Sequence, residues 1–336
     1  MAIDSSNVGD GAPDHPPLVS VVTPVYNGAP YLAECIESVI GQSHQNWRYS
    51  IVDNCSTDQS IAIAERYARL DNRITVHRNH VHVGAVANHN IALRHVSDDS
   101  RYAKLLSADD WLYPEFLERL VAVAERYPSV GVVGALRINR TGVPHVGLPL
   151  GQSSFIGRET AKGFLQGELD GFWVPSGVLY RADLVRSREE FYPSAAMSAD
   201  LEACLECLKT SDYGFVHQVL SFERIHDASL SHTVRVQDTY LLDRIRILRD
   251  VGPSFMETQE IRARMEQMLD EYYATVLTPA LFNKRPADFW NLHRRRLDEL
   301  GLSIICPRML KTTTAKILTL ALNPQQTLAK LLRRLG

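Results

Sequence analysis

Tyr102-Ala103-Lys104-Leu105-Leu106-Ser107-Ala108-Asp109-Asp110-Trp111-Leu112-Tyr113-Pro114 decides how the chain is read. A mostly apolar run of strand length stops at two adjacent carboxylates, and an aromatic, a proline and a helical pattern follow. Carboxylates at the carboxyl end of a buried strand stand where open α/β sheets present their ligands. They are also the oxygen donors a hard divalent cation takes while keeping water and substrate phosphates in its shell. The plainer alternative is a turn in which Asp109 or Asp110 caps the next helix.

Upstream, the β-branched run Leu18 to Thr23 reads as a buried strand and Pro24 to Gly28 as a loop. Leu32, Ile36, Val39 and Ile40 then recur at helical spacing, with Pro30 near the start. Tyr49 to Val52 is the next strand. It runs into the polar turn Asp53 to Asp58, and a helix follows with Ile61, Ala64 and Ala68 on one face. Ile74 to His77 reads as a strand and Val83 to His95 as a helix entered through Gly84. Downstream of the diacid, Leu117, Leu120, Val121 and Ala124 share a helix face, and Val130 to Leu136 reads as another strand. Such alternation predicts an α/β fold, a doubly wound and mostly parallel sheet with helices on both faces. The turns at 23–27, 53–58 and 107–110 then converge on one edge. No GxxxxGK[ST] or GxGxxG phosphate loop follows the first strand. This sheet edge carries carboxylates instead.

The chain has 336 residues, 45% of them hydrophobic and 22% charged, with a net charge of −3. That describes an ordinary globular protein able to bury a core, and the charge says little about partners. Five scattered cysteines fit reduced thiols in a cytoplasmic setting. No apolar run is long enough to span a bilayer. Arg294-Arg295-Arg296 reads as a solvated helix face, and with no recognised module beside it no nucleic-acid partner is expected. Asp98-Asp99 falls before its strand, on the opposite sheet edge. Cys204-x-x-Cys207 reads as helix packing, and His77, His80 and His82 lack further ligands for zinc.

Val21 to Asn27, Val52 to Asp58, Gly84 to Asn90 with Ala92-Leu93, and Ser107 to Asp110 together resemble the family 2 glycosyltransferases. The resemblance covers about residues 18–230. It implies the GT-A fold, and inverting transfer of a sugar from a nucleotide diphosphate donor, UDP-sugar by preference, to an acceptor hydroxyl. It also implies a divalent cation, Mn²⁺ or Mg²⁺. By the family pattern Thr23, Pro24 and Tyr26 lie beside the base, and Asp53 and Asn54 read its edge. Asp109 and Asp110 serve ribose and metal, without a division of labour between them. Two departures stand out: Asn54 replaces a common second acid, and Ser107 replaces the first carboxylate of Asp-x-Asp. Lys104, inside the strand, is grouped with the nucleotide contacts and expects a carboxylate partner.

Further along, residues 137–170 read as loop with a short helix over 159–166. Gly171 to Tyr180 resembles the family's acceptor-side strand. Its Trp173 either stacks on a sugar or packs in the core. Asp200 matches the family's general base, with Glu202 as fallback, while capping by Asp200 or Ser198 is the structural alternative. A strand over 215–220 leads to Arg224, placed on a sugar or the diphosphate, and to His226, placed on the metal or diphosphate ahead of a serine-rich loop. The expected organisation is a disordered lead-in (1–16), a catalytic domain (17–235, dividing near 136) and an α-helical C-terminal extension (236–336). From Leu302 onward there are six basic residues and no acidic one. Leu328, Leu331, Leu332 and Leu335 fall at amphipathic spacing with Lys330, Arg333 and Arg334 between. Peripheral contact with an anionic membrane, and packing onto the catalytic domain or a second subunit, are equal readings of this tail. The acceptor implied is a saccharide or glycolipid of surface-polysaccharide assembly. Two rivals remain: a non-catalytic member binding nucleotide-sugar or a partner, and a nucleotidyltransferase. The second lacks its usual basic loop after the first strand.

Overall fold

A computed structural model describes residues 16–171, 174–193, 198–226, 236–283 and 285–322. The lead-in to residue 15, Trp173, the serine-rich loop after His226 and the leucines and cations at 328–335 lie outside the described residues.

The chain begins as predicted, with β1 (Val19–Val25), α1 (Ala29–Ile40), β2 (Trp47–Asp53), α2 (Ser60–Leu70), β3 (Ile74–Arg78), α3 (Ala85–Leu93) and β4 (Tyr102–Leu105). β5 (Trp111–Leu112), α4 (Phe116–Arg126), β6 (Val130–Ile138), β7 (Ser154–Phe155) and α5 (Gly157–Gln166) follow. Then come a 3₁₀ turn (Pro175–Gly177), β8 (Val178–Arg181), α6 (Ala182–Arg186), α7 (Ala199–Leu208) and β9 (Asp212–Phe222). The last described elements are helical: α8 (Tyr240–Asp250), α9 (Thr258–Tyr272), α10 (Thr278–Phe282), α11 (Ala287–Glu299) and α12 (Pro307–Leu322).

One sheet runs in the order β3-β2-β1-β4-β8-β6-β9-β5, with β7 also on β9. Its first four strands are parallel, with Val21 opposite Tyr49 and Val22 opposite Leu105. β8 enters antiparallel between β4 and β6. The first half is therefore the predicted doubly wound unit, and the second is mixed. Helices cover both faces. On one, Val21, Tyr49 and Leu106 pack under Leu32, Ile36, Leu117 and Leu120. On the other, Val22, Val52 and Val178 pack under Leu93, Phe164, Leu201 and Leu205, and this core continues into Leu242, Ile245, Tyr272 and Leu297 of the C-terminal helices.

Three local readings are corrected. β1 runs through Pro24 to Val25, so the loop begins at Tyr26. The strand expected over 171–180 is confined to Val178–Arg181 because the 3₁₀ turn precedes it. Neither Asp109 nor Asp110 caps a helix, because β5 intervenes and α4 starts at Phe116.

Candidate functional site

The carboxyl ends of β1, β2 and β4 meet as expected, and their turns are stitched together. Asn27 adopts a left-handed φ of 50°, and its side-chain oxygen accepts the Thr57 N–H at 2.8 Å. Ser60 Oγ accepts the Gly28 N–H, and Asp58 Oδ2 the Ala29 N–H, at 2.9 and 3.0 Å. The polar residues after β2 thus fix the loop after β1. A Cβ on Gly28 would sit 2.9 Å from Val25 Cγ2, so this crossing needs glycine.

Tyr26 is half exposed, with its ring edge-on to His82 at a centroid distance of 4.5 Å. It offers a nucleobase an aromatic face. The other residues expected on the nucleotide have partners within the protein. Thr23 is buried and its hydroxyl bonds Tyr49 Oη at 2.8 Å. Pro24 is buried inside β1, paired opposite Val52. Asn54 spends its amide on the 79–83 loop: Nδ2 donates to the Val83 carbonyl, and Oδ1 accepts from Val83 N and Asn79 Nδ2. Asp53 is also fully covered, accepting from the Ser56 N–H, with Arg78 Nε 3.8 Å away.

Lys104 has carbonyl partners where a carboxylate was expected. Its ammonium is fully buried and donates to the carbonyls of Pro175 and Val178 at 2.7 and 3.0 Å, over the Phe116 ring. Burial holds its pKa well below the ordinary value, and no carboxylate lies within ion-pair distance among the described residues. It ties β4 to the turn before β8. Lys104→Met should leave two buried carbonyls without a donor and cost about 2–4 kcal/mol in urea unfolding. Nucleotide binding by the folded fraction should not change, and weakened binding with unchanged stability would restore Lys104 to the nucleotide site.

The two adjacent acids separate by environment. Asp110 is buried; its Oδ1 accepts the Arg224 N–H at 2.8 Å and its Oδ2 accepts from the Ser176 hydroxyl. Burial and the neighbouring Asp109 push its carboxyl up. With both oxygens bonded inward it clamps β4 to the chain after β9. Asp109 keeps a partly exposed carboxylate, and its Oδ2 lies 3.0 Å from His226 Nε2. Arg224, expected on sugar or diphosphate, holds this corner. Nε donates to the Asp109 carbonyl at 3.0 Å, Nη2 pairs with Glu34, and the guanidinium lies over Tyr31 at 4.5 Å.

Among the described residues no three His, Cys, Asp or Glu side chains form a metal cluster. Asp109 and His226 nonetheless bring a carboxylate and an imidazole together at the open edge. Two protein donors fit a divalent cation whose remaining positions go to diphosphate oxygens and water.

Asp200 sits in the first turn of α7, its Oδ1 accepting the Leu201 N–H at 2.8 Å. Ser198, at the N-cap position, makes no capping bond. Burial raises the Asp200 carboxyl from near 3.8 to about 7, with Arg137 opposing the shift and Glu223 adding to it. A carboxylate poised there is matched to taking a proton at neutral pH. Glu202, the fallback base, pairs with Arg246 of α8 at 2.7 Å and braces α7 against the C-terminal helices.

The sequence reading missed the cluster beside Asp200. Arg137 Nε bonds Glu223 at 2.8 Å, Arg137 Nη1 bonds the Gly171 carbonyl, and Asn139 Nδ2 reaches Glu223 at 3.1 Å. The available signal was an arginine closing the otherwise apolar strand β6.

A family model described as "Glycosyl transferase family 2" matches residues 20–188. The chain is 36% identical over 129 residues to TuaG of Bacillus subtilis (strain 168), provisionally named a teichuronic acid biosynthesis glycosyltransferase; this covers 38% of the chain and 50% of TuaG. It is 31% identical over 117 residues to glycosyltransferase GlyG of Streptococcus pneumoniae serotype 4, covering 35% and 38%. The chain therefore spans half the length of the first relative and less of the second. Its fold matches S. aureus TarS in complex with UDP-GlcNAc at a TM-score of 0.63 and 16% identity, over 84% of this chain and 80% of that one. It also matches the mannosyltransferase PcManGT from Pyrobaculum calidifontis, in complex with GDP-Man and Mn²⁺, at 0.53 and 17% over 94% and 89%. At these identities the structural likeness is one of fold.

Proposed function

The chain belongs to glycosyltransferase family 2, and from that premise we propose that it inverts a sugar as it moves it from a UDP-sugar to an acceptor hydroxyl. The acceptor is a saccharide or lipid-linked saccharide of surface-polysaccharide assembly, a class suggested by the name of TuaG. One observation carries the reading: a partly exposed Asp109 beside His226 at the sheet edge, and a separate Asp200 whose carboxyl is held near 7.

Tyr26 supplies the face for the base. Asp109 and His226 would hold Mn²⁺ or Mg²⁺, which when bound neutralises charge gathering on the departing diphosphate. Arg224 and the buried Asp110 keep Asp109 in place. Asp200 accepts the proton of the attacking hydroxyl, and Arg137 and Glu223 set the field around it. The five cysteines are all free, which supports a cytoplasmic setting.

Calorimetric titration with UDP, GDP and TDP, each with and without Mn²⁺, tests the donor class. Metal-dependent binding of UDP is the expected result. Preference for GDP would replace the donor, and binding of none would return the chain to its non-catalytic rival.

A further inference from the structure

The C-terminal helix α12 docks by one face and leaves the other bare. Met309 is buried, Thr312 Oγ1 meets Thr278 Oγ1 at 3.1 Å, and Arg308 pairs with Asp270 at 2.9 Å. On the opposite side Leu310, Ile317, Leu318 and Leu322 are 51 to 77% exposed. At a helical advance of roughly 100° per residue, Leu310, Ile317 and Leu318 share one sector. Lys311, exposed, borders it on one side, while Lys316, also exposed, falls on the side of Met309 and Thr312; neither lysine has an ion-pair partner among the described residues. Leu281 and Phe282, on the neighbouring α10, are exposed as well. Large apolar side chains sharing one exposed helix face mark an interaction site.

We infer that α12 lies in the interface of an anionic lipid bilayer, its leucine and isoleucine face in the headgroup layer and Lys311 at its rim on the lipid charge. Charge complementarity selects this occupant. Residues 302–336 hold six basic side chains and no acidic one. A second copy packing symmetrically would bring two basic segments together, and residues 323–336 folding back would add three more cations beside Lys311. Among the described residues no helix is long and apolar enough to cross a membrane, so the contact is superficial. The inference does not depend on the donor or the acceptor.

The test is co-sedimentation of the full chain with phosphatidylcholine vesicles, with and without phosphatidylglycerol, beside analytical ultracentrifugation. Binding is expected only with phosphatidylglycerol and should weaken in high salt. A Leu310→Ser, Ile317→Ser, Leu318→Ser variant should lose at least about tenfold in vesicle affinity, as should a Lys311→Glu, Lys316→Glu variant. Unchanged thermal melting of each would show that the loss is not unfolding. No wild-type binding, equal binding to neutral vesicles, or a dimer that the serine variant dissociates would each overturn the inference.

Discussion

Asp109→Ala is expected to remove the metal-dependent part of nucleotide binding, weakening UDP affinity in Mn²⁺ by at least about a hundredfold while leaving the metal-free value alone. The neighbouring acid should behave differently. Asp110 has both oxygens engaged by Arg224 N–H and the Ser176 hydroxyl, and burial favours its neutral form. Asp110→Asn retains the acceptor for Arg224 and carries no charge, so Mn²⁺-dependent binding should survive, with any loss appearing in thermal stability. His226→Ala should fall between, losing one donor of two. Titrating UDP with Mn²⁺ into the three variants decides the matter. Equal loss from Asp109→Ala and Asp110→Asn would mean that the diacid acts as a unit, against the inward bonding of Asp110.

Why the sequence alone left these two acids unresolved is plain from their partners. Ser176 and Arg224 lie 66 and 114 positions from Asp110. Which carboxylate turns inward depends on contacts that no local pattern carries. The same limit hid β5, a two-residue strand made only by pairing with β9. It also hid the Glu202–Arg246 bridge, which spans 44 positions. What periodicity controls was legible: α1 and α4 present the predicted apolar faces, and the parallel order of the first four strands follows from their alternation with helices. Thr23 lies between. A hydroxyl within a strand buried on both faces must find a buried partner, and Tyr49 on the adjacent strand supplies it. That inference was available from the run itself.

Asp200→Asn should lower the rate of sugar transfer by about a thousandfold, because an amide cannot take the acceptor proton. UDP binding should be unaffected, since the residue lies on α7 and not on the turns after β1, β2 and β4. In the wild type, kcat/KM should fall on the acid side with a midpoint near 7, where Asp200 becomes protonated. The same shift carries a stability consequence of definite sign. The folded carboxyl binds its proton more tightly than the unfolded one, whose value is near 3.8. Between those values the native state holds a proton that the unfolded chain has released, so the wild type loses stability as pH rises toward 7 and then levels off. Asp200→Asn is free of that loss. Its melting-temperature advantage over the wild type should be small at pH 5 and larger at pH 8, even as activity disappears. Glu202→Gln tests the alternative, since it frees Arg246 and weakens the brace between α7 and α8. It should reduce stability at both pH values and leave the acid limb in place. An acid limb that moves with Glu202→Gln and stays with Asp200→Asn would transfer the base to Glu202. A stability gain for Asp200→Asn that is the same at pH 5 and pH 8 would mean that Asp200 is not held neutral by burial, and the catalytic reading of α7 would lose its physical basis.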